Sequence, residues 1–163
     1  MLLTSFDSTA ALASAVADRI ESVVNLNPSA VIGWPSGRTT IPVLNELRTR
    51  TGLDFARVTF AMMDDYVLGD AATGYRAIDP TSHYSCLRWV DESLRPIFAP
   101  LSQPRVIVPE VSDPGAYDDR LRDLGGVDLF LMGLGATDGH VAFNPPGTSI
   151  DTTTRIIRLA DST

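Results

Sequence analysis

The chain has 163 residues, 44% of them hydrophobic and 20% charged, and a formal net charge of −7. That is enough chain to bury a core, while no apolar run approaches the ~20 residues a bilayer-spanning helix requires. The acidic balance disfavours nucleic acid or an anionic membrane surface as the main partner, and the lone cysteine, Cys86, excludes an internal disulfide.

The absence of disulfides suits a cytoplasmic protein, and Met1–Asp18 lacks the basic start and long apolar core of a signal peptide. All thirteen basic residues are arginine. A lysine Schiff base and a Walker-type lysine are therefore unavailable within these residues.

In chain order, Ser8–Val24 reads as a helix, with Leu12, Val16, Ile20 and Val24 on one stripe and Asn27-Pro28 as its stop. Ala30-Val31-Ile32 is a short apolar run that empties into GWPSGRTT. A second helix follows, in which Pro42 sits in the first turn and Ile41, Leu44 and Leu47 are spaced to pack. Val58–Met63 reads as a buried strand ending in Asp64-Asp65-Tyr66. A polar stretch rich in Gly and Asp runs on to Pro80, and Ser82–Val90 reads as helical. Arg105–Pro109 is another strand. Asp113–Leu124 is a helix stopped by Gly125-Gly126. Val127–Leu134 has the pattern of the clearest buried strand, and Arg155–Leu159 that of one more short strand.

Strands alternate with helices, and several strands are apolar throughout. This predicts an open, mostly parallel, doubly wound α/β sheet with helices on both faces, Rossmann-like, formed by one domain over residues 1–163. In such sheets ligands bind beyond the carboxyl ends of the strands. Three polar loops leave such ends: Gly33–Thr40, Asp64–Tyr66 and Gly135–Asn144.

Each loop carries candidate chemistry. In the first, Ser36 and Thr39 offer hydroxyls, Gly37 permits close backbone approach and Arg38 supplies positive charge, all before a helix N-terminus. That combination suits an anion such as phosphate, although Gly-Ser turns before helices are common. In the second, adjacent carboxylates serve equally as a base, a metal site or a solvated turn. No His and Cys cluster accompanies them, so a metal site is disfavoured. Strand alternation sends Asp64 and Asp65 in opposite directions, leaving one to face a cleft. In the third, glycines 133, 135 and 139 allow a tight path around His140, the side chain best suited to move protons near neutral pH. Asp138 stands close enough in sequence to orient it.

Together these loops resemble a family. GWPSGRTT is similar to its phosphate loop, and FAMMDDYV followed by DPTSHYSCL to its Met-Asp-Glu-Tyr and His-Pro-x-Ser-Tyr segments. GLGATDGHVAFNPPGTS is similar to its Gly-x-Gly-x-Asp-Gly-His-x-Ala-Phe-Asn-Glu-Pro signature, and TTRIIRL to a segment beyond it. The family is glucosamine-6-phosphate deaminase/isomerase, related to 6-phosphogluconolactonase, and the resemblance runs roughly from Val31 to Leu159. The Ala-Phe-Asn continuation favours the deaminase branch.

The resemblance implies ring opening of an amino-sugar 6-phosphate, aldose–ketose proton transfer, and loss of ammonia to give fructose 6-phosphate. Asp64 would carry the proton from C2 to C1. His140, oriented by Asp138, would serve ring opening, and Ser36, Gly37, Arg38 and Thr39 would hold the phosphate. Neither a metal nor an organic cofactor is implied. The partner is a small sugar phosphate, with no nucleic acid or membrane involved, and the pattern is compatible with a homo-oligomer. The chain departs from the signature twice. Pro145 stands where the pattern has Glu, and one extra residue separates Gly135 from Asp138. The family pattern also continues past Thr163, so the chain is expected to be the N-terminal portion of a longer fold, its sheet incomplete at the C-terminus. The competing expectations are a lactonase-type hydrolase and a non-catalytic sugar-phosphate-binding regulator.

Overall fold

The computed structural model describes residues 3–98, 103–134 and 139–159. Helix α1 (Thr9–Leu26) begins at Ser8, whose hydroxyl accepts the Ala11 N–H at 3.1 Å and so satisfies one open donor of the first turn. It ends before Asn27-Pro28, where proline excludes helical geometry from the residue ahead of it. The elements that follow are β1 (Val31–Trp34), α2 (Ile41–Thr49), β2 (Thr59–Met62), β3 (Val67–Asp70), β4 (Gly74–Ala77) and α3 (Cys86–Trp89). A π turn over Val90–Leu94 leads into α4 (Arg95–Phe98); then come β5 (Arg105–Ile107), α5 (Ala116–Asp123) and β6 (Leu129–Phe130). Pro96 has no N–H to return to the preceding turn, which gives a physical reason for the widened helix just ahead of it.

Among the described residues the main sheet has the order β5-β2-β1-β6, and its pairings are parallel. The chain therefore steps outward from β1 through β2 to β5 and then returns to the other side of β1. Side-chain alternation divides the sheet into two faces. Ile32, Trp34, Phe60 and Met62 join a core with Ala13, Ala17, Ile20 and Val24 of α1, Val43, Leu44 and Leu47 of α2, and Val90, Leu94 and Phe98 beyond α3. Val31, Ala61 and Ile107 point the other way, against Tyr117 and, beside it, Leu121. Helices thus cover both faces of an open α/β sheet. Arg50 ties α1 to α2 by pairing with Asp18, Glu21 and Glu46.

Four expectations need correction. The polar stretch after Tyr66 contains the antiparallel β3–β4 hairpin. Its turn is held by the Asp70 carboxylate, which accepts from the N–H groups of Ala72 and Thr73, and it is exposed, so hydrophobic patterning is silent about it. The helix expected over Ser82–Val90 starts later, at Cys86, and runs on through the π turn to Phe98. Val127–Leu134 is not a long buried strand. Among the described residues only Leu129–Phe130 of this run pair with the main sheet, at the edge of its four described strands, and Phe130, Met132 and Leu134 are 41%, 64% and 76% exposed. An edge strand receives hydrogen bonds and cover from one side only, and sequence alone does not reveal which strand is an edge. Residues 155–159 form no strand; most of them line a cleft instead.

The β1–β6 pairing depends on one glycine. A Cβ on Gly33 would lie 2.6 Å from the Phe130 ring. The Leu131 N–H donates to the Gly33 carbonyl at 3.0 Å, and the Asp128 carboxylate accepts the Val31 N–H at 2.8 Å. Gly33→Ala is expected to push β6 off the sheet at a cost of about 1–3 kcal/mol, as overpacking does. Hydrogen exchange should show Leu131 losing protection while the β1–β2 amides keep theirs.

Candidate active site

Because β1, β2 and β6 run parallel, the loops after them leave from one end of the sheet. The reversal of strand order falls between β1 and β6, the place where open α/β sheets leave a crevice.

The first loop turns at Gly37 (φ 103°), a left-handed conformation that glycine adopts without strain. A tight turn over Arg38–Thr40 follows, with the Thr40 hydroxyl donating to the Gly37 carbonyl at 3.1 Å, and runs directly into α2. Ser36 and Gly37 are half-buried; Arg38 and Thr39 are exposed.

The second loop carries the two carboxylates, and they have different work. Asp65 Oδ1 accepts the N–H groups of Tyr66 (2.8 Å) and Cys86 (3.0 Å), so it fastens the start of α3 to the end of β2. Asp64 Oδ1 lies 3.7 Å from the Cys86 thiol, which donates to it. The Cys86 sulfur is in turn 3.1 Å from Ser36 Oγ. Ser36, Cys86 and Asp64 therefore form a short polar chain between the first two loops. Burial pushes the Asp64 carboxyl up to about 6; the Cys86 hydrogen bond opposes the rise and the Asp65 charge adds to it. Burial also pushes the Cys86 thiol up to about 12, so at neutral pH it is an uncharged donor.

The third loop is described from Gly139 onward; Asp138 lies outside the described residues. Gly139 and Gly147 have positive φ, and so does Ala142 (φ 54°), unusual for a residue with a side chain. Val141 bridges to Leu134 and Asn144 and closes a small knot around Ala142. The Phe143 ring packs 4.7 Å from Tyr66, which fixes this loop against the one bearing Asp64; Tyr84 packs 5.9 Å from the same Tyr66. His140 is half-buried at the entrance to the knot.

A cleft of about 250 Å³ opens between the second and third loops. Asp64, Asp65, Tyr66, Phe143 and Asn144 line one part of it, and Glu110, Asp118 and the segment 152–157 line another. The structure thus brings Asp64 together with the Ser36 loop through Cys86, and with Ala142–Asn144 across the cleft. His140 and the Ser36–Thr39 loop are not part of this cleft's lining. Among the described residues no group of three His, Cys, Asp or Glu could hold a metal ion, and no helix is long and apolar enough to cross a membrane. Sequence reasoning missed Cys86, because no spacing rule places a lone cysteine at a helix start against a carboxylate twenty-two residues earlier. It also missed the role of 152–157, whose Thr154 N–H donates to the Asp118 carboxylate at 2.9 Å.

No family model matches the chain. Individual proteins do. The chain is 37% identical over 153 residues to the glucosamine-6-phosphate deaminase of Arthrobacter sp. (strain FB24), an alignment covering 90% of this chain and 56% of that protein. It is 34% identical over 158 residues to the deaminase of Rhodococcus jostii (strain RHA1), covering 93% and 58%. Over the aligned stretch the chain is thus similar in sequence to glucosamine-6-phosphate deaminases. It spans a little over half the length of these curated relatives. Among solved structures, a monomeric glucosamine-6-phosphate deaminase superposes with a TM-score of 0.80 at 24% identity, covering 99% of this chain and 66% of that one. A 6-phosphogluconolactonase from Thermotoga maritima superposes with a TM-score of 0.64 at 21% identity, covering 88% and 63%. The α/β fold is thus shared by deaminase and lactonase structures, while the sequence similarity is to deaminases.

The half-buried Asp64 has a measurable consequence. Its folded value of about 6 lies above the ordinary 3.8. Above pH 6 the folded protein holds an ionised, partly desolvated carboxylate, a cost that shrinks as the pH falls from 6 and is gone below about 3.8, where folded and unfolded chains are both protonated. Asp64→Asn is expected to stabilise the protein at pH 7 by about 1–3 kcal/mol, with the gain shrinking as the pH is lowered through 6. Urea unfolding of both proteins across that range measures it.

Proposed function

We propose that this chain carries the base and the anion loop of an enzyme that isomerises and deaminates an amino-sugar 6-phosphate, converting glucosamine 6-phosphate to fructose 6-phosphate and ammonia. The observation that carries the reading is Asp64, a half-buried carboxyl raised to about 6 that lines a cleft and is joined through Cys86 to the Ser36 loop. Moving a proton from C2 to C1 of an open-chain sugar needs one base that takes a proton and returns it. A carboxylate with a value near neutrality does both without being trapped in either form. The Ser36–Thr39 loop at the start of α2 supplies N–H groups and the Arg38 charge for the phosphate. His140, with Asp138, would move the protons that open the ring, and water would displace the ammonia.

The charge of the cleft supports an amino sugar. Asp64, Asp65, Glu110 and Asp118 line it against a single cation, Arg155. Such a lining attracts an ammonium group and repels a free carboxylate product. In this reading the enzyme works in the cytoplasm on a small sugar phosphate and depends on neither metal nor organic cofactor.

Two assays test the reading. Ammonia and fructose 6-phosphate should appear from glucosamine 6-phosphate, and 6-phosphogluconolactone should be hydrolysed no faster than in buffer. Acid release from the lactone without ammonia release would establish the hydrolase instead, and binding without turnover of either would establish a regulator. Asp64→Asn should lower kcat by at least a thousandfold with little change in phosphate affinity, because it removes an interaction used in the transition state. It should also stop solvent deuterium from entering at C2; exchange that survives in Asp64→Asn removes Asp64 from this role. Wild-type kcat/KM should fall about tenfold per pH unit below about 6, where Asp64 of the free enzyme becomes protonated.

A further inference from the structure

The polar chain Ser36–Cys86–Asp64 joins a loop suited to an anion to a carboxylate suited to proton abstraction, and neither the reaction nor the loop motifs call for its middle member. Cys86 is 2% exposed and sits at the first position of α3. Its backbone N–H is held by Asp65, its sulfur lies 3.1 Å from Ser36 Oγ, and its thiol donates to Asp64 Oδ1 at 3.7 Å. All three contacts come from loops at one end of the sheet, one to the backbone and two to the sulfur, so the thiol is held in place between Ser36 and Asp64. Resting on the reading of Asp64 as base and the Ser36 loop as phosphate site, we propose that Cys86 is a positioning residue that couples occupancy of the phosphate loop to the basicity of Asp64.

The coupling follows from counting donors. The thiol has one hydrogen. With the loop empty, the Ser36 hydroxyl donates to the sulfur and the thiol hydrogen goes to Asp64, where a hydrogen bond to the carboxylate favours its charged form. When an anion takes the Ser36 hydrogen, the hydroxyl oxygen presents a lone pair to the sulfur. The thiol hydrogen then has two acceptors, Asp64 loses part of its donor, and it becomes the stronger base once substrate is bound. No proton is transferred along the chain; one hydrogen bond is redirected. Among the described residues, the other ionisable groups around Asp64 include Asp65 and Tyr66 beside it, Tyr117 from α5, and Glu110, Asp118 and Arg155 along the cleft. Their charges act on Asp64 whether or not residue 86 is a donor, so substitution at position 86 separates the redirected bond from the general field.

The test is direct titration of the Asp64 carboxyl carbon by NMR, with and without inorganic phosphate, in the wild type, Cys86→Val and Cys86→Ser. Valine fills a similar volume without a donor; serine keeps one. Phosphate should raise the wild-type midpoint. Cys86→Val should raise the phosphate-free midpoint by roughly threefold to tenfold in proton affinity and diminish the phosphate response, and Cys86→Ser should restore both toward wild type. An unchanged phosphate-free midpoint in Cys86→Val overturns the proposal, as does an equal phosphate response in wild type and Cys86→Val, or none in the wild type. If Cys86→Val does not fold, Ser36→Ala takes its place: a phosphate response as large as wild type's again overturns the coupling. These titrations need no turnover. A protein that titrates as expected yet leaves glucosamine 6-phosphate untouched keeps the coupling and loses the enzymatic reading.

Discussion

Drawing the half-buried Asp64 carboxylate partly out of water is the constraint on which the candidate site depends. A charge held in such a place is disfavoured unless something compensates it, and the surroundings compensate only partly. One thiol donates to it, and the carboxylate next door aggravates the cost. The result is a group balanced between its two protonation states at a pH where an ordinary aspartate would be fully ionised. The loops around it serve that balance. Asp65 spends its oxygen on backbone N–H groups, which fixes the end of β2 and the start of α3. Phe143 on Tyr66 closes the third loop over the second. Two parallel strands buried on both faces, β1 and β2, hold the assembly at a common end.

The parts of the fold legible in the sequence were those in which burial writes a pattern. The α1 helix, the continuous apolar runs of β1 and β2, and the Gly125-Gly126 stop after α5 all reflect a local demand, so local reading finds them, although in α1 Ala13 and Ala17 are buried where the expected stripe put Leu12, which is 45% exposed. The β3–β4 hairpin is exposed on both strands and built on Asp70 and glycine turn chemistry, so it carries no apolar signature. Residues 127–134 show the converse. Their apolar run is real, yet the strand is short and lies at the edge, because what neighbours a strand is a property of the whole sheet.

The site was legible in a similar, partial way. Ser36, Asp64 and His140 stood out because glycine-bearing loops after apolar runs mark strand ends, and parallel topology gathers strand ends together. Cys86 did not stand out, since its significance comes from two distant partners and no motif of its own. The likeness to deaminase sequences, over nearly all of this chain and a little over half of each relative, joins these pieces to a chemistry. The likeness to lactonase structures shows a shared fold, and a fold alone does not fix a chemistry.

Ala142 adds a mechanical point. Its left-handed backbone would be relieved by glycine, and a residue with a Cβ holds there only while its neighbours over-determine it: the Val141–Asn144 bridge on one side and the Phe143–Tyr66 contact on the other. The loop is therefore a loaded latch. Loosening the aromatic contact lets the strained residue relax toward ordinary backbone angles, and His140 on one flank and Asn144 on the other would be carried with it as one unit.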